Sequence, residues 1–158
     1  MRNHGLDYTK RRAILRENIL LCKELWTKDE ASFSGQHIEF EQSWAWPKPT
    51  QQPHPPVVMG GAAGPKTAAH IAEFCEGWMP LGGNYDLDGG LKTIHQACEK
   101  IGRDPSSVSL SMFYAGGCKP DDLKIHAEKG AKRGILPLPS ESAEKVLPIL
   151  DEYAKSLT

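Results

Sequence analysis

Between Pro56 and Leu157 the chain alternates four times between a short apolar run and a stretch of helical periodicity, and this alternation limits the fold more than any other feature. The runs are Pro56–Met59, Gly77–Leu81, Val108–Ala115 and Gly134–Leu136. The helical stretches are Lys66–Cys75, about Gly90–Ile101, Pro120–Lys129 and Ser142–Leu157. Strands joined through helices lie parallel with right-handed crossovers, so the fold class is α/β with four β-α units. In the third run Val108, Leu110, Met112 and Tyr114 alternate with Ser109, Ser111 and Phe113, which gives one apolar face and one mixed face. A mixed face suits the interior of a barrel that holds a polar ligand. A doubly wound sheet with helices on both faces accounts for the order of elements equally well, and this pattern leaves both open.

The residues ahead of these units read differently. Leu15, Ile19, Cys22 and Trp26 recur at helical spacing within Tyr8–Trp26, with Asp7 or Thr9 as the cap, which predicts an amphipathic helix. From Ala31 to Gln42 the pattern alternates around Gly35 and predicts a short hairpin or an irregular excursion. Pro47, Pro49, Pro53, Pro55 and Pro56 then exclude helix and central strand, so the connector is expected to run extended over the surface. A length of 158 residues suits one domain: a helix over 1–30, a hairpin and Pro-rich connector over 31–55, and the four units over 56–158.

Nineteen Lys and Arg residues against twenty Asp and Glu leave no field that would favour nucleic acid or an anionic membrane as a partner. Cys22, Cys75, Cys98 and Cys118 are scattered, without the spacing of a disulfide framework or a zinc site. No run of about twenty apolar residues is present to span a membrane, and Met1–Gly5 is not followed by the apolar run of a secretory signal. A cytoplasmic protein with reduced thiols is expected.

The loop Met59-Gly60-Gly61-Ala62-Ala63-Gly64-Pro65-Lys66-Thr67, between the first run and its helix, carries the chemistry that can be read locally. A phosphate needs converging backbone N–H groups with no side chains in the way, and a helix N-terminus adds favourable partial charge. Gly60, Gly61, Ala62, Ala63 and Gly64 permit that approach, Lys66 adds a charge and Thr67 a hydroxyl, and Pro65 in the first turn costs no hydrogen bond. The pattern is neither G-x-G-x-x-G nor a P-loop. Glycines that only permit a tight strand-to-helix turn explain it as well.

Other candidates are weaker. Gly82–Asp88 follows the second run and would lie on the same rim as an ordinary loop or a polar lining. Cys118, after Gly116-Gly117, reads as a free thiol. His70 and Glu73 lack a third ligand for a metal, and His4, His37, His54, His95 and His126 have no partner recognisable by spacing, so no general acid or base is assigned. Trp44 and Trp46 read as packing of the connector or as the cap of a pocket, and Trp26 and Trp78 as core.

Asn3-His4-Gly5-Leu6-Asp7, Leu25-Trp26-Thr27, Phe33-Ser34-Gly35, Trp46-Pro47-Lys48-Pro49, Pro55-Pro56-Val57-Val58-Met59-Gly60-Gly61 and Glu76-Gly77-Trp78-Met79-Pro80, taken in this order and continued by Gly102-Arg103-Asp104-Pro105 and Gly134–Pro139, resemble the luciferase-like monooxygenase family, in particular its branch that uses the deazaflavin coenzyme F-420. The resemblance implies a TIM-type (β/α) barrel of which this chain matches only the C-terminal half. It also implies hydride transfer with coenzyme F-420, or monooxygenation with reduced FMN, and a cofactor phosphate held by Gly60, Gly61, Ala62, Ala63, Gly64, Lys66 and Thr67. By the same resemblance the first four strands supply most contacts to the cofactor ring and substrate. The expected partners are therefore a flavin-type cofactor and either that N-terminal half or a second copy closing a homodimer.

Overall fold

The computed structural model describes residues 3, 5–82, 85–115 and 120–155. They divide into two compact units, 1–57 and 58–158.

In the first unit a 3-10 turn, Tyr8–Lys10, leads into α1, Arg11–Thr27. Of the two expected caps Asp7 serves, but for the 3-10 turn, with Thr9 donating to it through both its amide (2.9 Å) and its hydroxyl (2.7 Å), while the N-cap of α1 itself is Lys10 with no side-chain hydrogen bond. A hairpin follows, β1 (Ala31–Ser34) antiparallel to β2 (Glu39–Ser43), with Gly35 at the turn. The apolar face expected of α1 is only half covered, and Leu15 is exposed. The residue of α1 that is buried is Glu17.

Glu17 is buried because the hairpin turn surrounds its carboxylate with donors. Oε1 accepts from the Gln36 amide (3.0 Å), and Oε2 accepts from His37 (2.8 Å) and Ile38 (2.9 Å). A buried charge is tolerated when its lone pairs are filled in this way. Burial works against the charged form, but the three amides together outweigh it and hold the carboxyl below the usual glutamate range. Gly35 makes the approach possible, since a Cβ there would stand 2.5 Å from Oε2. The connector is tied to the other end of the same helix. Lys48 Nζ donates to the carbonyls of Leu25 (2.8 Å) and Lys28, serving as the C-terminal cation of a helix with no basic residue in its last turn, and the His54 ring lies 5.9 Å from that of Trp26.

The second unit runs β3 (Val58–Gly60), α2 (Pro65–Phe74), β4 (Gly77–Met79), α3 (Leu87–Lys100), a 3-10 turn (Pro105–Ser107), β5 (Ser109–Phe113), α4 (Pro120–Glu128), β6 (Ala131–Ile135) and α5 (Ala143–Lys155). The strands form one parallel sheet in the order β3-β4-β5-β6. Trp78, Leu110, Met112 and Tyr114 are buried on one face of it, and Ile71, Phe74 and Ile94 complete the core from α2 and α3. The alternation expected in β5 holds, except that Ser111, on the opposite face, is also buried.

In this unit most boundaries fall within two residues of the sequence expectation, and two elements begin three residues ahead of it. Helix α3 begins at Leu87 rather than near Gly90, because Asp86 caps it by accepting from the Gly89 amide (2.9 Å) and the glycines lie inside the first turn. Strand β6 begins at Ala131, three residues early, since Lys132 and Arg133 conceal it from an apolar-run reading. The Gly102–Pro105 run receives a structural role: Gly102 takes φ +72° after α3, and Arg103 Nη1 donates to the carbonyls of Ile71 (3.2 Å) and Ala72 (2.8 Å) near the end of α2.

Glu17 carries a testable consequence. A carboxyl with a depressed folded pKa stabilises in full above its unfolded value, roughly pH 4.3, and loses that contribution as pH falls through the lower folded value. Glu17→Ala at neutral pH should accelerate amide hydrogen exchange at residues 36–38, and acidification of the parent through that window should lower the protection of the same amides relative to their intrinsic rates at each pH. Exchange that stayed slow in Glu17→Ala would show that the turn holds without its carboxylate.

Candidate functional site

Strand β3 ends at Gly60, and the chain turns at Gly61 with φ +100°. A Cβ at Gly61 would meet nothing within 4 Å, so the backbone conformation, not crowding, calls for glycine. Gly61 stays tied to the sheet through its amide, which donates to the Met79 carbonyl (3.1 Å), and its own carbonyl accepts from Trp78 Nε1 (2.8 Å). The Ala63 amide donates to the Tyr85 hydroxyl (2.9 Å). Gly64, extended at φ −68° and ψ 166°, is the N-cap of α2 with no side chain to offer, and Pro65 follows in the first turn.

The expected binding residues are thus brought into one loop, but they are not equivalent. The amides of Gly61 and Ala63 are used internally and are withdrawn from the expected phosphate cradle. The amides of Ala62, Gly64 and Lys66 make no hydrogen bond among the described residues. They stand at a helix N-terminus whose first turn has no acidic residue to offset its positive end. Lys66 is exposed, and Thr67 is half-buried with an interaction of its own. Such an arrangement can receive an oxyanion.

Trp78 and Tyr85 shape this loop, and the sequence did not show that role. Their rings meet edge to face at 5.8 Å and 67°. Gly90, in the first turn of α3, clears the space, since a Cβ there would stand 2.5 Å from Trp78 Cη2 and 2.7 Å from the Tyr85 oxygen. Trp78, expected in the core, is there at 1 % exposure, yet its indole N–H reaches the loop.

The loop after β4 is used structurally where it is described. The Gly82 amide donates to the Phe113 carbonyl (2.7 Å), Asp86 caps α3, and Asp88 pairs with Lys129 (2.6 Å). Gly83 and Asn84 lie outside the described residues, as do His4, Cys118 with Gly116 and Gly117, and the last residue expected in α5, Leu157. His126, without a recognisable partner in the sequence, is hydrogen-bonded through Nδ1 to the Tyr114 hydroxyl at 2.7 Å. Burial pushes the Cys98 thiol up, away from reactivity. Trp44 and Trp46 are exposed, and Trp44 borders an open cleft of about 340 Å³ with Glu30, Gln42 and Ser43. Among the described residues no group of three or more His, Cys, Asp or Glu is placed to hold a metal, and no helix is long and apolar enough to cross a membrane.

The sequence model of the luciferase-like monooxygenase family matches residues 1–145. An uncharacterized protein of Mycobacterium tuberculosis is 34 % identical over 157 residues, covering 98 % of this chain and 54 % of the relative. An FMNH(2)-dependent dimethylsulfone monooxygenase of Pseudomonas putida is 33 % identical over 79 residues, covering 50 % and 21 %. The structure of an F420-dependent secondary alcohol dehydrogenase in complex with an F420-acetone adduct superposes with a TM-score of 0.55 at 14 % identity, covering 96 % of this chain and 55 % of that one. The chain belongs to the luciferase-like monooxygenase family, and its parallel sheet is half of a TIM-type barrel, not a doubly wound sheet. It spans about half the length of the curated relatives it matches first.

Two substitutions probe the loop supports. Tyr85→Phe removes the acceptor of the Ala63 amide and should cost about 1 kcal/mol, read from a denaturant midpoint. Gly90→Val forces Trp78 aside and should cost roughly 1–3 kcal/mol, with a shift in tryptophan emission. An unshifted midpoint in both would remove Trp78 and Tyr85 as the loop's supports.

Proposed function

We propose that the chain supplies the phosphate-holding half of a luciferase-like oxidoreductase barrel, with a flavin-type cofactor as its ligand. The observation that carries this is the set of unused amides at Ala62, Gly64 and Lys66 ahead of α2, with the Lys66 ammonium and Thr67 hydroxyl beside them. Gly60, Gly61 and Ala63 serve by holding the turn, through strand pairing, the Trp78 and Met79 contacts, and the Tyr85 hydroxyl respectively. When bound, the cofactor supplies hydride transfer if it is coenzyme F-420, or oxygen activation if it is reduced FMN. What this chain does is fix the phosphate end and so orient the remainder.

Turnover by the chain alone is not expected. Alignment of donor and acceptor accounts for roughly 7–11 kcal/mol of a barrier of this kind, and it needs both walls of a pocket. The second wall is proposed to come from four further β-α units, as in a full barrel. A second copy closing a non-catalytic, cofactor-binding homodimer is the other arrangement, and light scattering separates them. A cytoplasmic site of action belongs to this reading, through the expectation of reduced thiols.

Comparison of FMN with riboflavin tests the loop directly, because the two differ by the phosphate. The purified chain should bind FMN in preference to riboflavin, and Gly61→Val should remove that preference, since positive φ costs a β-branched residue about 1–3 kcal/mol. Equal affinity for both, or a preference unchanged in Gly61→Val, would return the loop to the role of a turn. Multiple turnovers by the isolated chain with either reduced cofactor would show that the catalytic groups lie within it.

A further inference from the structure

Strands β3 to β6 contain no Asp or Glu, and their charged residues are Lys132 and Arg133. The register of the sheet fixes where Arg133 points. Leu110 and Trp78 are buried beneath α3, lining a small cavity with Leu91 and Ile94, and a Cβ on Gly134 would meet Leu123 of α4 at 3.2 Å and the Tyr114 ring at 3.3 Å. Gly134 therefore faces the helices, and its neighbours Arg133 and Ile135 face the other side of the sheet. Ser111, between Leu110 and Met112, faces that side too, and it is the register partner of Arg133 on the adjacent strand. Paired strands lie about 4.8 Å apart, so the two side chains leave the same face of the sheet from neighbouring positions.

Among the described residues neither group has a partner. Arg133 is exposed and makes no hydrogen bond or ion pair among the described residues, and the Ser111 hydroxyl, in a residue only 6 % exposed, makes none either. Toward the strand ends, Leu81, Phe113 and Ile135 form an apolar row on the same face, with Leu81 bridging to Phe113. A hydroxyl that is open to solvent on a nearly buried residue, unpartnered among the described residues, and on the same face a cation with no carboxylate on its own sheet, make the donor set of a site for an acceptor-only group.

We propose that Ser111 and Arg133 form an anion-receiving site on this face, separate from the loop at Gly60–Thr67. It takes a carboxylate or phosphate of a small ligand whose apolar part lies against Leu81, Phe113 and Ile135. The proposal does not depend on which cofactor the loop holds, or on whether it holds one. A second copy of the chain would bring another Arg133 and no strand carboxylate, so closure by a homodimer leaves the need for an anion in place.

Amide chemical shifts of the labelled chain test this at low ionic strength, with succinate, inorganic phosphate and uncharged succinamide as separate titrants. Succinate, phosphate or both should shift the Ser111 and Arg133 amides, and succinamide should not; the two anion arms separate a carboxylate site from a phosphate site. Arg133→Gln should weaken the response about tenfold, the size of one charge-assisted hydrogen bond, and Ser111→Ala by less, while Gly61→Val leaves it unchanged. Arg133 is exposed, so an unaltered melting curve shows that Arg133→Gln is folded. No response to either anion, an equal response in Arg133→Gln, or shifts confined to residues 62–67 and lost in Gly61→Val would each overturn the proposal, the last by placing the anion on the loop.

Discussion

The hydrogen bond from the Trp78 indole to the Gly61 carbonyl is the constraint on which the candidate site depends. The ring is fixed by burial among Leu91, Ile94 and Leu110, by the edge of Tyr85, and by the missing side chain of Gly90. A side chain this enclosed has little rotational freedom left, so the loop it grips inherits the order of the core. The Tyr85 hydroxyl grips the same loop two residues further on, at the Ala63 amide. Between and beyond these two fixed points the amides of Ala62 and Gly64 make no hydrogen bond among the described residues. Preorganisation of this kind lowers the cost of binding, because the donors need not be ordered when the anion arrives.

Much of the architecture was legible in the sequence, and the reasons are physical. Four apolar runs between helical stretches imply parallel strands with crossovers, and the sheet is parallel throughout; its sequential order β3-β4-β5-β6 came from the structure. The choice between half a barrel and a doubly wound sheet was not legible from the same pattern, because both bury the same periodicities. The motifs that resemble the family separated them. The boundaries that shifted did so where side chains speak against the backbone. Glycines 89 and 90 lie in α3 because Asp86 caps it and Trp78 needs the space, and Lys132 and Arg133 lie in β6 because that edge strand is open to solvent.

For the site, the glycine-rich loop could be read and its internal economy could not. Nothing in the spacing of Gly61, Ala63, Trp78 and Tyr85 indicates that two of the loop's amides are already engaged, since the partners come from another strand and another loop. The same holds for His126 and Tyr114, twelve residues apart and joined only by the fold. Burial of Glu17 ran against expectation for a carboxylate on a helix, and only the three turn amides explain it.

Glu17, Lys48 and Arg103 share a habit: each long charged side chain fastens a distant segment by its main-chain atoms. A bond to a peptide N–H or C=O is indifferent to the side chain mounted on that peptide. The hairpin turn can therefore drift in sequence at Gln36 and His37 without loosening, provided that no proline removes the donor and Gly35 keeps its place. Selection on these attachments then falls on the three gripping residues and not on what they grip. Among homologous chains, the turn should vary freely around a carboxylate that does not.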